Sequence, residues 1–136
     1  NTVEPAIGAH RMDKVYAWKS MLDMGIHASG GSDAPVVSFD AMENIYFAVT
    51  RKNISGQPQE GWIPSEKISV DEAVKLFTKN AAYASYTEKE NGTIETGKNA
   101  DLVVLEKDIY SIDPDEIKTV KVDMTVLGGK VVFERE

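Results

Sequence analysis

From Met12 to Met24 the apolar residues Met12, Val15, Tyr16, Trp18, Met21 and Leu22 fall mostly at helical spacing, with Asp13 and Asp23 off that face. This spacing predicts an amphipathic helix, and Gly25 is placed to stop it at the C′ position. The small residues Ile26-His27-Ala28-Ser29-Gly30 predict a short strand. It ends in a tight, backbone-exposed loop, Gly30-Gly31-Ser32-Asp33-Ala34-Pro35. A second helix is expected from about Asp40 to Thr50 on a stripe of Met42, Ile45, Tyr46 and Val49. Residues 51–67 are polar and broken by Gly56, Pro58, Gly61 and Pro64, which predicts a long loop of the kind used as a lid or binding segment. Trp62 is its only large anchor.

The pattern then sharpens. Ser69-Val70-Asp71-Glu72 is a capping box, with Ser69 as N-cap, Glu72 at N3 and Ile68 placed to staple against Ala73. The helix it opens carries Val70, Ala73, Val74, Phe77, Ala81 and Ala84 on one face and is expected to reach about Tyr86. After the Asn91-Gly92 turn the period changes to that of strands. Thr93-Ile94-Glu95 leads into a turn, Asp101 to Glu106 reads as a buried strand, and Asp113-Pro114 opens one helical turn. Lys121–Leu127 and Lys130–Glu134 flank Gly128-Gly129, a two-residue hairpin signal. Helix, strand, helix, helix is thus followed by a β meander.

Composition adds limits. A chain of 136 residues, 42% hydrophobic and 27% charged, has enough apolar material for one folded unit. It is too short for a complete (β/α)8 barrel, which takes about 250 residues. Fifteen Lys and Arg against twenty-two Asp and Glu leave a net charge of −7, spread evenly with no basic stripe. Nucleic acid and anionic membrane are therefore poor partners. No cysteine is present, which removes disulfides, thiolate metal sites and cysteine nucleophiles. No window approaches the roughly 18 apolar residues of a membrane span. Asn1-Thr2-Val3-Glu4-Pro5 has neither the basic start nor the apolar run of a signal peptide, and no initiator Met.

The best candidate for chemistry is the corner that ends in Asp33. In α/β folds functional groups lie beyond the carboxyl ends of strands, and the glycines before Asp33 let a ligand approach the backbone. Asp33 also has an ordinary reading, as an N-cap or a turn-forming residue. His27 and Asp33 are six residues apart on an extended segment, roughly 20 Å, too far to share an ion. His10, before the first helix, reads as a solvated loop or cap residue. Ser29 and Ser32 have no His and Asp partners for a triad. Gly30-Gly31-Ser32 lacks the spacing and the lysine of a phosphate loop. Tyr83, Tyr86 and the Trp18 stripe read as core, and Lys75-Lys79 and Lys118-Lys121 as solvated faces. By residue types alone the chain holds no complete active site.

Several stretches in order carry a resemblance: Tyr16-Ala17-Trp18-Lys19-Ser20-Met21-Leu22-Asp23-Met24-Gly25, Gly31-Ser32-Asp33-Ala34-Pro35-Val36, Tyr46-Phe47-Ala48-Val49-Thr50-Arg51 and Ile68-Ser69-Val70-Asp71-Glu72-Ala73. It continues through Thr78 to Ala84, Gly92 to Leu105 and Val126 to Val132. Together they resemble the amidohydrolase superfamily, in its branch of N-substituted formamide deformylases and exoenzyme-regulatory proteins. The resemblance implies an α/β fold: the C-terminal portion of a metal-dependent (β/α)8 barrel plus the C-terminal strands of its companion β-sandwich. Residues 1–90 would be the last helices and eighth strand of the barrel, and residues 91–136 the sandwich portion.

In that family the aspartate at the Gly-Ser-Asp corner, here Asp33, is both a metal ligand and the catalytic proton shuttle. The family's His-x-His, its bridging lysine or acid and its two later histidines have no counterpart in these residues. The implied parent is a hydrolase of non-peptide C–N bonds, with a small-molecule amide substrate and a divalent metal expected to be zinc. This chain alone is expected to be metal-free, inactive and prone to self-association, and a cytoplasmic location is the default. The alternatives are a non-catalytic acidic binding module and a regulatory protein that keeps the fold without its catalysis.

Overall fold

The computed structural model describes residues 3–136; Asn1 and Thr2, on which the reading of the N-terminus partly rests, lie outside the described residues. Five short helices precede a small sheet: α1 (Val3–Ile7), α2 (Trp18–Asp23), α3 (Ala41–Thr50), α4 (Val70–Phe77) and α5 (Lys79–Ala84), then β1 (Leu102–Leu105), β2 (Val122–Leu127) and β3 (Lys130–Glu134). Three 3-10 segments, Ala9–Lys14, Pro64–Glu66 and Pro114–Thr119, join them.

α3 carries the core. All four residues of its predicted stripe are buried, with Ala48 and Thr50 beside them. The Asp40 carboxylate caps its start by accepting from the Met42 N–H at 2.8 Å. Ile68, Ala73 and Leu76 close one side of this cluster, and Ile109, Ile117 and Val120 the other. α3 therefore packs against both α4 and the 3-10 turn at Pro114–Thr119. Asp113 opens that turn as expected, accepting from the Asp115 N–H at 2.8 Å. The capping box at α4 is complete: Ser69 Oγ accepts from the Glu72 N–H, and the Glu72 carboxylate accepts from the Ser69 N–H at 2.8 Å.

The sheet is antiparallel in the order β1-β2-β3, with Leu102 opposite Val126 and Leu127 opposite Lys130. Gly128 and Gly129 turn the hairpin at φ 55 and 76, the left-handed pair that a two-residue turn requires.

Six expectations are corrected. The helix expected across Met12–Met24 is broken at Tyr16, whose φ is 47, so only Trp18–Asp23 is α-helical. The helix from Ser69 toward Tyr86 breaks at Thr78 (φ −126, ψ −93). Ile26–Gly30 is not a strand, because a strand needs a paired neighbour and none lies alongside it among the described residues. It is held instead by the Gly30 N–H donating to Leu76 O at 2.9 Å and by Asn80 Nδ2 donating to Ala28 O at 2.8 Å. Finally, the strand expected to be buried is not: Val103 is 58% and Val104 48% exposed. Tyr83 on α5 and Tyr86 beyond its end at Ala84 are exposed as well, not core. Lys118, expected on a solvated face, is half-buried with its Nζ over the Tyr46 ring at 4.7 Å. No helix among the described residues is long and apolar enough to cross a membrane.

Candidate functional site

Asp33 stands where the segment after α2 turns toward α3. Its backbone is left-handed, φ 53, a conformation that aspartate tolerates better than most residues. The turn is closed by the Val36 N–H donating to Asp33 O at 2.9 Å. The side chain is exposed and makes no hydrogen bond or ion pair among the described residues. It caps no helix, since Asp40 does that for α3, and so the turn is made by the backbone alone. A free carboxylate is displayed.

Asp33 lines a cleft of about 410 Å3 together with Ser32, Val36, Phe47, Arg51, Tyr16, Trp18 and Trp62. Three separate stretches of sequence thus meet at one concavity: the approach to α2, the Asp33 corner, and the loop after α3. Trp62, the anchor expected in that loop, is half-buried there. Its ring packs against Tyr16 edge-on, with centroids 6.0 Å apart. A larger cleft of about 470 Å3, lined by Phe77, Ala82, Asn91 and Leu102, lies between α5 and β1 and contains none of the candidate residues.

Arg51 organises the cleft, and sequence reasoning did not single it out. It is the C-cap of α3 with φ 59, and is only 6% exposed. Its Nε donates to Trp62 O at 2.9 Å and its Nη1 to Tyr16 O at 3.0 Å. The guanidinium lies over the Trp18 ring at 4.7 Å and the Trp62 ring at 5.2 Å. Burial lowers its pKa from the ordinary arginine value. Nη2 is buried and has no hydrogen-bond partner among the described residues. The available signal was a lone arginine ending a buried helical stripe, followed at once by a polar loop.

Glu66 is a second buried charge that the sequence did not announce. Its carboxylate accepts from the Ser20 N–H at 2.9 Å and from Ser20 Oγ. These Ser20 bonds, with the Arg51 charge behind them, hold its pKa below the usual carboxylate range. The far end of the 51–67 loop is thereby tied to α2.

The histidines stay apart from this site. His10 is exposed on the 3-10 segment, and the exposed His27 packs its ring against Tyr83 at 4.6 Å. Ser29 is exposed and Ser32 half-buried. Among the described residues no three His, Cys, Asp or Glu side chains converge as a metal site. A catalytic metal takes about three protein ligands, so the residues present do not fit one.

Comparison with known proteins places the chain. The profile of the amidohydrolase family matches residues 1–133. The Bacillus subtilis protein YtcJ is 38% identical over 129 residues, covering 95% of this chain and 24% of that protein. The N-substituted formamide deformylase of Arthrobacter pascens is 36% identical over 122 residues, covering 90% of this chain and 22% of the enzyme. The crystal structure of an amidohydrolase from Thermotoga maritima superposes with a TM-score of 0.64 at 23% identity, over 88% of this chain and 26% of that one; this likeness concerns the fold. The chain spans about a quarter of the length of these relatives. By its matched residues and its α/β arrangement of helices with a three-stranded antiparallel sheet, the chain belongs to the amidohydrolase family.

Proposed function

We propose that this chain contributes the Asp33 corner and its cleft to an enzyme that hydrolyses non-peptide C–N bonds, with small-molecule amides as substrates. The observation that carries the reading is the exposed Asp33, held by a left-handed backbone in the lining of a mostly apolar cleft. Membership of the amidohydrolase family and the name of the formamide deformylase support the reaction class.

Amide hydrolysis needs two proton transfers. Water gives up a proton as its oxygen attacks the carbonyl carbon, and the nitrogen must gain one before the C–N bond breaks. A single carboxylate placed beside the bond can take the first proton and deliver it as the second. Asp33 is the group in this chain with the freedom and position for that role. The groups that activate the carbonyl come from outside these residues, and the chain by itself does not turn over. In the same reading, the helices and the segment before Asp33 belong to the end of a (β/α)8 barrel. The sheet, whose exposed Val103, Val104, Val131 and Val132 have no covering layer among the described residues, belongs to a companion sandwich.

The test is release of ammonia from simple carboxamides and of amine from N-substituted formamides. A longer protein carrying this chain should hydrolyse at least one of them, and the 136-residue chain alone none. Turnover by the chain alone would overturn the incompleteness of its site. Failure of the longer protein on every amide would overturn the reaction class.

A further inference from the structure

The cleft beside Asp33 is lined by both polar and aromatic residues. Ser32, Asp33, Asn44 and Arg51 are its polar lining. Tyr16, Trp18, Phe47 and Trp62 bring four rings to it, with Val36 and Val37 among the apolar remainder. Its volume, about 410 Å3, falls within the roughly 300–1,000 Å3 of small-molecule sites. We propose that these rings receive a ring-bearing substituent of the amide substrate, and that Trp62 is the residue that selects it. The inference rests on the reading of Asp33 as the reacting end of the same cleft.

The rings are set in advance of any ligand. Trp18 and Trp62 share the Arg51 guanidinium, 4.7 and 5.2 Å from their centroids, and Tyr16 stands 6.0 Å from each. Arg51 bonds only to main-chain carbonyls of Tyr16 and Trp62, so it fixes two of the ring-bearing residues by their backbones. Aromatic walls already ordered lose little freedom when a ligand docks, which favours affinity. A ring meets such walls edge-on or offset, and gains more than its area alone. Asn44, one of the polar residues of the lining, is already committed, since its Nδ2 donates to Ser38 O and Asp40 O.

The chain contains two tryptophans, and both line this cleft. Intrinsic fluorescence of the 136-residue chain thus reports its occupancy without requiring turnover. Phenylacetamide should shift the emission saturably, and acetamide should bind at least about tenfold more weakly. Equal responses to the two amides, or no saturable response to phenylacetamide, would overturn the proposal. Trp62→Ala should weaken phenylacetamide at least about tenfold, with Trp18 as the remaining reporter, while Trp62→Phe should recover most of the loss. The hydrogen bonds of Trp62 run through its backbone, so both variants keep the loop anchored. Unchanged affinity in Trp62→Ala would also overturn the assignment. Ring binding in a protein that hydrolyses no amide would leave the pocket standing and remove the reaction. Hydrolysis without ring preference would do the reverse.

Discussion

Arg51 and Trp62 are bonded to each other twice: the Trp62 N–H donates to Arg51 O at 2.7 Å, and Arg51 Nε donates to Trp62 O at 2.9 Å. The pair closes the 51–67 loop at its waist, next to the cleft. Arg51 is almost wholly buried, so the loss of its donors takes the Nε bond from Trp62 O and leaves Tyr16 O with the Trp18 N–H alone. Arg51→Ala should cost about 2–4 kcal/mol in a denaturant titration. Arg51→Lys should recover little, because an ammonium cannot reach both carbonyls and both rings as a planar guanidinium does. Wild-type stability in either variant would contradict the clamp.

Glu66 makes the loop sensitive to acid. Its folded pKa is lowered by Ser20 and, behind it, by Arg51, so its contribution to stability is present above its unfolded pKa of about 4.3. That contribution is lost as pH falls through the lowered folded value. Glu66→Gln should therefore flatten the decline in stability below about pH 5, with a smaller difference between variant and parent at low pH than at neutral pH. Ser20→Ala should act in the same direction. A constant difference across the whole pH range would show that Glu66 does not titrate with folding.

Gly61 turns the loop back onto α3. Its φ is 78, and a Cβ there would stand 2.4 Å from Thr50 O, closer than any real contact. Gly61→Ala should destabilise by more than about 1 kcal/mol, since the strained φ and the clash with a backbone oxygen add. Hydrogen exchange should place the added opening in residues 51–67. Gly56, also left-handed but with open space around it, should tolerate alanine better.

The sheet predicts association. Val131, Val132 and Phe133 on β3 are about half exposed, and among the described residues β3 is an unpaired edge. Edges of this kind pair with other chains unless they are blocked. Light scattering of the 136-residue chain should show oligomers that Val132→Lys and Phe133→Lys together reduce. A monomer at micromolar concentration would contradict this.

How much of this was legible in sequence depends on where the deciding forces lie. The caps at Ser69 and Asp113, the start of α3 near Asp40, its stripe and the Gly128-Gly129 turn are local, and each was read correctly from a few neighbouring residues. The breaks at Tyr16 and Thr78 were not, because helical spacing continues through both while their backbones do not. Ile26–Gly30 has the composition of a strand but no neighbour to pair with among the described residues, and pairing is not a local property. The Asp33 corner was found as a candidate from its glycines and its position. The cleft was hidden, because Arg51, Glu66 and Tyr16 acquire their roles from contacts 11 to 46 residues away along the chain.

The proton-carrying role of Asp33 is tested most directly by Asp33→Asn in the longer protein that carries this chain. Asparagine tolerates the left-handed backbone, and the native side chain bonds to nothing among the described residues, so the fold and its stability should be unchanged. Amide hydrolysis should fall at least about 100-fold, the lower end of what general acid–base transfer contributes. Near-normal turnover in a folded Asp33→Asn protein would contradict the account.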